Sequence, residues 1–435
     1  MNHMNVPSSA GAPSRPHVRW NLTALMLDVT FYSLGMAFID PTAIMPLLLN
    51  HLGASGSLIG AFASLKSLGF NGFQLVVAYL IHGKARQKPT LSAVATITRL
   101  PLLLMPVIMY HASDSASAKT VALYGMIGIL VLWSLGDGLG YVPWMEIVAR
   151  AFEPKTRGRF FATSQIVSGV SSVAIGLLAV RAILQNPHIP YPHSYALLAG
   201  IAAAMFMVSL IGVLIIKEPP AVGPPQPAIP ARDYFVAIPR LLHNRVFARL
   251  ALVQLLLGFG ATAAPFYVLY AVQHFHVNDF WGGAYQGLQA LGIVLLMPFW
   301  TLITERINPA AAIRAVGITI LLTPLTALGV GSLGPAWFGL VFMLMGGSLG
   351  WGLWIVVNHY LLAHVSMAQR PAHIATLSLL FVPSALFPFI GGLFMRGTTM
   401  ITVGQYPLLF VLTAAITAVG LLLSFKLPNV DLTEN

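Results

Sequence analysis

Twelve apolar runs, each about 20 residues or longer, occupy most of this 435-residue chain. They fall at residues 20–50, 57–82, 90–110, 119–149, 160–184 and 194–216, and again at 246–273, 280–304, 310–331, 335–364, 372–395 and 405–425. A helix rises about 1.5 Å per residue, so each run can cross the roughly 30 Å hydrocarbon layer of a bilayer. Inside that layer every backbone polar group must be bonded within the protein, and a run of this length meets the condition as a helix. Pro and Gly within several runs are tolerated where neighbouring helices satisfy the freed groups. The expected fold class is an all-α membrane protein with twelve transmembrane helices. A soluble fold would need a charged coat: soluble domains carry about 25% charged residues, and this chain has 8%, against 57% hydrophobic.

The runs divide six and six, and the two halves echo each other. Ser134-Leu135-Gly136-Asp137-Gly138-Leu139 returns 214 positions later as Ser348-Leu349-Gly350-Trp351-Gly352-Leu353. Gly60-Ala61-Phe62, Leu65 and Leu68-Gly69 match Gly283-Ala284-Tyr285, Leu288 and Leu291-Gly292 at an offset of 223, and Pro41 and Pro265 fall in step at 224. A repeat near half the chain length, inside apolar helices, predicts two pseudo-symmetric six-helix bundles with the chemistry where they face each other. The expected division is a disordered polar tail over 1–18, a bundle over 19–217, a connector over 218–244 with Pro219-Pro220 and Pro224-Pro225, a second bundle over 245–426, and a tail over 427–435. The start lacks the charged head, short apolar run and cleavage site of a signal peptide.

The charge balance orients the chain. With both termini cytoplasmic, eighteen of the 23 Lys and Arg lie on the inner side and three, Lys119, Arg181 and Arg396, on the outer side; Lys66 and Arg99 lie within runs. This positive-inside bias accounts for the net charge of +11 without a nucleic-acid partner. A multi-pass protein of the inner (plasma) membrane is expected. The chain has no Cys, which excludes disulfides and thiolate metal sites. His274 and His276 are one residue apart and His359 stands alone, too little for a metal centre. No phosphate loop, nucleophile elbow or zinc-protease motif is present, so neither a cofactor nor an enzyme activity is expected.

Charges inside hydrocarbon cost at least about 2.5–3.5 kcal/mol each. The candidates are Asp28, Asp40, Lys66, Arg99, Asp137 and Glu146, all in the first half. Counted from the run ends, Asp28, Arg99 and Asp137 share a depth in the inner half of the membrane, and Asp40 and Lys66 share one in the outer half. Asp40 with Lys66 reads most simply as a structural ion pair, and otherwise as a gating pair. Glu146 and Arg150, four apart, read as a brace at the loop. Asp28 and Asp137 are suited to hold a proton or a cation, with Arg99 opposing protonation. The second half instead offers Gln254, Gln286, Gln289, Asn358 and His359, with Trp351 and Trp354 nearby. Amides and aromatic rings in a cavity wall suit an organic solute with polar edges and a ring or apolar face; the alternative is helix-to-helix hydrogen bonding and packing.

Six plus six runs joined by a long connector resemble the major facilitator superfamily. That family's loop between its second and third helices has a Gly-x-Leu-Ala-Asp-Arg-x-Gly-Arg pattern. Here Leu80 and Arg86 remain, with His82 and Ala85 replacing the Asp and the second Gly, and Glu305-Arg306 takes the Asp-Arg place in the second copy. Pro154-x-x-Arg157-Gly158-Arg159 is similar to the family's loop after its fourth helix. Leu132 stands where many proton-driven drug exporters carry Arg, and no Pro lies between Gly169 and Gly176, which points away from a drug/proton exchanger. The resemblance implies a monomeric secondary transporter that moves a small organic solute by alternating access, with H+ favoured over Na+ as coupling ion. It also implies a central cavity lined by runs 1, 4, 7 and 10. The residues carried onto that cavity are Asp28, Asp137, Arg99, Gln254, Gln286, Gln289, Trp351, Trp354 and Asn358, with Arg99 read as a helix brace or a ligand. Glu146, Arg150, Arg157, Glu305 and Arg306 are expected to brace the cytoplasmic loops. Two other readings stay open: a lipid flippase of the same fold, with a sideways-opening cavity and fewer buried charges, and a membrane-embedded enzyme, which would need paired catalytic groups near one membrane face.

Overall fold

The structure is a computed structural model. It describes residues 17–72, 86–112, 115–220, 241–330, 333–365, 370–395 and 404–429. Leu80, His82, Ala85, Arg396, most of the 1–18 tail, residues 221–240 of the connector and residues 430–435 lie outside the described residues.

The run expected as one helix over 20–50 is two: α1 (Val18–Phe38) and α2 (Ile44–His51). Pro41 cannot donate to a helix ladder, and it disfavours helical backbone at Asp40. The Asp40 carboxylate then opens α2, its Oδ1 accepting from the Thr42 and Ala43 N–H groups at 2.8 Å each. The second run is described as α3 (Gly56–Gly72). Ten further helices are long and apolar enough to cross a membrane. They are α4 (Lys88–Tyr110), α5 (Ala116–Ala151), α6 (Thr156–Gln185), α7 (His193–Ile215), α8 (Arg245–Phe275), α9 (Phe280–Arg306), α10 (Pro309–Gly329), α11 (Pro335–His364), α12 (Thr376–Phe394) and α13 (Gln405–Ser424). α11 widens into a π turn over Gly346–Gly350, where Trp300 Nε1 on α9 donates to the Gly347 carbonyl at 2.7 Å. Such widened turns free backbone groups that a neighbour must satisfy.

The two halves pack by the same plan. α1 lies on α7, α3 on α5, and α4 on both α5 and α7; in the second half α8 lies on α13, α9 on α11, and α10 on both α11 and α13. The sequence repeat marks equivalent crossings. A Cβ on Gly69 would meet the Ser134 hydroxyl on α5 at 2.5 Å, and one on Gly292 would meet the Met343 carbonyl on α11 at 2.0 Å. Gly212 packs its helix onto α1 at Asp28, and Gly420 packs its helix onto α8 at Leu256 and Leu257. Between the halves, α3 crosses α12 and α6 crosses α9. Here the other repeated glycines act: a Cβ on Gly60 would meet the Pro388 carbonyl at 2.2 Å, and one on Gly283 the Gly176 carbonyl at 2.8 Å.

These crossings lie toward the face opposite the chain ends. On that face Asp279, at the start of α9, accepts hydrogen bonds from Tyr195 at 2.9 Å and from the His51 ring, tying α7 and α2 to the second half. At the face of the chain ends, each half is tied within itself. Asn21 exchanges hydrogen bonds with the Lys217 backbone at 2.8 and 2.9 Å, and Tyr360 donates to the Pro428 carbonyl at 3.0 Å.

Candidate functional site

The charged residues of the first half form a connected line. Arg99 Nη1 on α4 donates to Asp28 Oδ1 at 3.1 Å, the Ser209 hydroxyl on α7 donates to the same oxygen at 2.6 Å, and Trp144 Nε1 on α5 donates to Oδ2 at 2.9 Å. Four helices thus meet on one carboxylate, and Asp28 is 4% exposed. A buried carboxylate that meets a guanidinium and two further donors has most of its acceptor capacity, about four lone-pair sites, filled within the protein. Asp28 and Arg99 thus tie α1, α4, α5 and α7 together within the first half. The guanidinium also lies 5.5 Å from the centre of the Tyr32 ring, and the Tyr32 hydroxyl donates to Asp137 Oδ2. Asp28, Arg99, Tyr32 and Asp137 therefore run in series, in keeping with the common depth read from the run ends.

Asp137 differs from Asp28. It is half-buried, and Tyr32 is its one hydrogen-bond donor among the described residues. One helical turn earlier on α5, the Trp133 ring carries the Lys66 ammonium at 5.7 Å from its centre. Lys66 lies within electrostatic reach of both Asp40 and Asp137. The expected Asp40–Lys66 ion pair is not made in this structure. Asp40 Oδ1 is instead engaged by the start of α2 and by the Thr42 hydroxyl at 2.6 Å. The physical reason is the break at Pro41, which turns the carboxylate toward three local donors.

In the second half, Gln254 and Gln286 are 4% and 3% exposed, and neither carbonyl oxygen has a hydrogen-bond donor among the described residues. Gln254 is one of the buried positions of α8, with Phe247, Leu250, Val253 and Leu257. Gln286 and Gln289 reach the seam, where Gln289 Oε1 is 2.7 Å from the Thr42 hydroxyl across the two halves. A cavity of about 100 Å³ lies beside them, lined also by Met36, Asp40, Ser172 and Ile293. Trp351 and Trp354 are 43% and 52% exposed and meet edge to face at 6.0 Å. Asn358 follows on the same side of α11 and donates to the Trp354 carbonyl at 2.7 Å. The opposite side of α11, with Leu353, Val356, Val357 and Tyr360, is buried in the second half's core.

At the face of the chain ends, Arg150 Nε donates to Glu146 at 2.9 Å, as the four-residue spacing predicts. The same guanidinium reaches Glu218 at 3.6 Å, and Glu218 accepts from the Gln87 and Lys88 N–H groups at 2.5 and 3.0 Å, at the start of α4. A carboxylate at a helix N-terminus meets unpaired N–H groups and the positive end of the dipole. Sequence reasoning left Glu218 in the connector because Pro219-Pro220 follows it directly. Arg157 is half-buried, and Glu305 and Arg306 are exposed. Among the described residues their side chains make no hydrogen bond or ion pair, so the bracing expected of them is not observed. Tyr32, Trp144 and Ser209 were also missed. Tyr32 and Trp144 had a signal, lying four residues from Asp28 and seven from Asp137 on the same helix faces.

The sequence matches the family model described as Major Facilitator Superfamily over residues 25–381. No curated protein matches it. Among solved structures, it is similar to a mutant form of the nucleoside transporter NupG, at 12% identity and a TM-score of 0.70, covering 94% of this chain and 99% of that one. It is also similar to the POT family transporter PepTSo, at 15% identity and a TM-score of 0.67, covering 95% and 99%. A bacterial homologue of the iron transporter ferroportin in an inward-facing state aligns at 12% identity and a TM-score of 0.66, covering 94% and 98%. At these identities the structural likeness carries the fold alone, while the family model spans most of the chain and both of its halves. With the repeated helix packing and the seam between the halves already described, the chain belongs to the Major Facilitator Superfamily, as a membrane transporter with that family's all-helical, two-bundle fold.

Proposed function

We propose that this protein is an ion-coupled secondary transporter that moves a small organic solute by alternating access, with Asp137 as the proton-binding group. The observation that carries this reading is the charge balance inside the first half. Among the described residues, the cations near Asp28, Asp40 and Asp137 are Arg99 and Lys66, and Arg99 is taken up by Asp28. Lys66 has two carboxylates within reach, so one negative charge is left over. An unpaired carboxylate in a low-dielectric site is costly, and a proton or a bound cation relieves that cost. Asp137 is the candidate because it is half-buried and holds a single hydrogen bond.

In the second half, the Trp351–Trp354–Asn358 stripe of α11 supplies ring faces and an amide, a combination suited to a solute with an apolar or ring face and polar edges. In this reading the division at 19–217 and 245–426 would give the two rocking bodies, and the positive-inside bias supports both termini in the cytoplasm, at an inner (plasma) membrane. The test is uptake into proteoliposomes under an imposed pH or sodium gradient, set beside counterflow without a gradient. Asp137→Asn is expected to abolish gradient-driven accumulation while counterflow persists. Parental accumulation by Asp137→Asn would overturn the assignment.

A further inference from the structure

We infer that the seam between the two halves carries a binding site for a small monovalent cation, built on Asp40 and Gln286 and separate from the Asp137–Tyr32 pair. The cavity there is about 100 Å³, room for a few waters or one ion but below the roughly 300–1,000 Å³ of an organic-solute pocket. Three of its polar lining residues are placed to offer oxygen. The hydrogen bonds to Asp40 from described residues all fall on Oδ1, which leaves the Oδ2 of this lining residue without one. Gln286 is 3% exposed, its side chain lines the cavity, and its Oε1 is buried without a donor among the described residues. A buried carbonyl without a donor is destabilising unless something beside it compensates. Ser172 on α6 adds a hydroxyl.

Gln289 supplies a fourth oxygen. Thr42 Oγ1 lies 2.6 Å from Asp40 Oδ1 and 2.7 Å from Gln289 Oε1. A hydroxyl has one proton and cannot donate to both. Turning the Gln289 amide by 180° resolves the conflict: its NH2 donates to Thr42, Thr42 donates to Asp40, and the Oε1 of this lining residue is released from Thr42. Amide orientation is set by such networks.

The donor set fixes the ligand class. All four groups are hard oxygen donors, and only one carries charge. A doubly charged ion would need more carboxylates and a fuller oxygen shell, and the positive charge of Lys66 nearby opposes it. A singly charged ion is neutralised by Asp40 alone; Na+ and a small ammonium share that chemistry. Because Asp40 lies in the first half and Gln286 and Gln289 in the second, the cation would bind best when the seam is closed. It would therefore favour that state by its differential affinity.

The inference rests on reading the chain as an ion-coupled carrier, but its test does not require transport. Thermal unfolding of the purified full-length protein in detergent is followed while NaCl, or separately methylammonium chloride, replaces N-methyl-D-glucamine chloride at fixed ionic strength. A saturable rise in Tm with either cation is expected, and the arm that responds identifies the source. Asp40→Asn keeps an oxygen acceptor for the start of α2 while removing the charge, and Gln286→Met keeps the volume while removing the carbonyl. Each should raise the half-saturating concentration about tenfold or abolish the response. Absence of a response to both cations in the parent protein would overturn the site. So would an unchanged response in whichever of the two variants folds.

Discussion

Asp28 and Asp137 show how far two acids of equal depth can differ. Asp28 is enclosed by Arg99, Ser209 and Trp144, so its charge is part of the packing of four helices. Truncating one member of a buried pair leaves the other unpaired, at about 3–5 kcal/mol, whereas replacing both by apolar groups often recovers the loss. Asp28→Ala should therefore lower unfolding stability by about that amount, and Asp28→Leu combined with Arg99→Leu should be more stable than either single change. Denaturation of the purified variants measures this; strictly additive losses would show that the two side chains are not coupled. Asp137→Asn should unfold close to the parent, within about 1 kcal/mol, because the amide oxygen still accepts from Tyr32. The same chemistry, a carboxylate in an apolar helix, thus gives a brace in one place and an available group in the other. What separates them is the number of donors around each.

At the level of helices, the repeated glycines fall into two kinds. Gly69 and Gly292 let two helices of one half touch, while Gly60 and Gly283 let helices of opposite halves touch. A Cβ at Gly69 presses on a contact present in every state of a rigid half, so Gly69→Ala should lower Tm. A Cβ at Gly60 presses on Pro388 only while the seam is closed, so Gly60→Ala should shift the balance between states with a smaller change in Tm. The chain has no Cys, so one can be introduced without background. Ala43 is 0% exposed at the seam. Reaction of Ala43→Cys with an impermeant maleimide should quicken about 5–30-fold in a Gly60→Ala background, the effect of a shift of one or two kcal/mol. Equal labelling rates with and without Gly60→Ala would mean that this crossing does not hold the closed state. The break between α1 and α2 belongs to the same scale: Pro41 was visible as a repeat partner of Pro265, but its effect on the helix, and so on the aim of Asp40, was not.

For the molecule as a whole, the two halves are tied across the seam at the face opposite the chain ends and within themselves at the face of the chain ends. His51 and Tyr195 both rest on Asp279, the polar tie of that outer seam. Asp279→Ala should therefore raise Ala43→Cys labelling as Gly60→Ala does, and the double variant should exceed either alone; labelling left at the parental rate would assign the tie no role in closure. The sequence by itself determined the class, the all-helical spans and the two-bundle arrangement, because all of these depend on length, hydropathy and period along the chain. The Glu146–Arg150 brace was legible for the same reason, being local to one helix. Tertiary structure alone decided which way each side chain points. Depth follows from about 1.5 Å per residue, but direction follows from about 100° of rotation per residue and from every break in a helix, so the shift at Pro41 was enough to move Asp40 from Lys66 to α2. The partners Ser209, Trp144, Thr42 and Glu218 come from segments distant in sequence, two helices, a turn and the connector, and only the packing of the helices places them against Asp28, Gln289 and the start of α4.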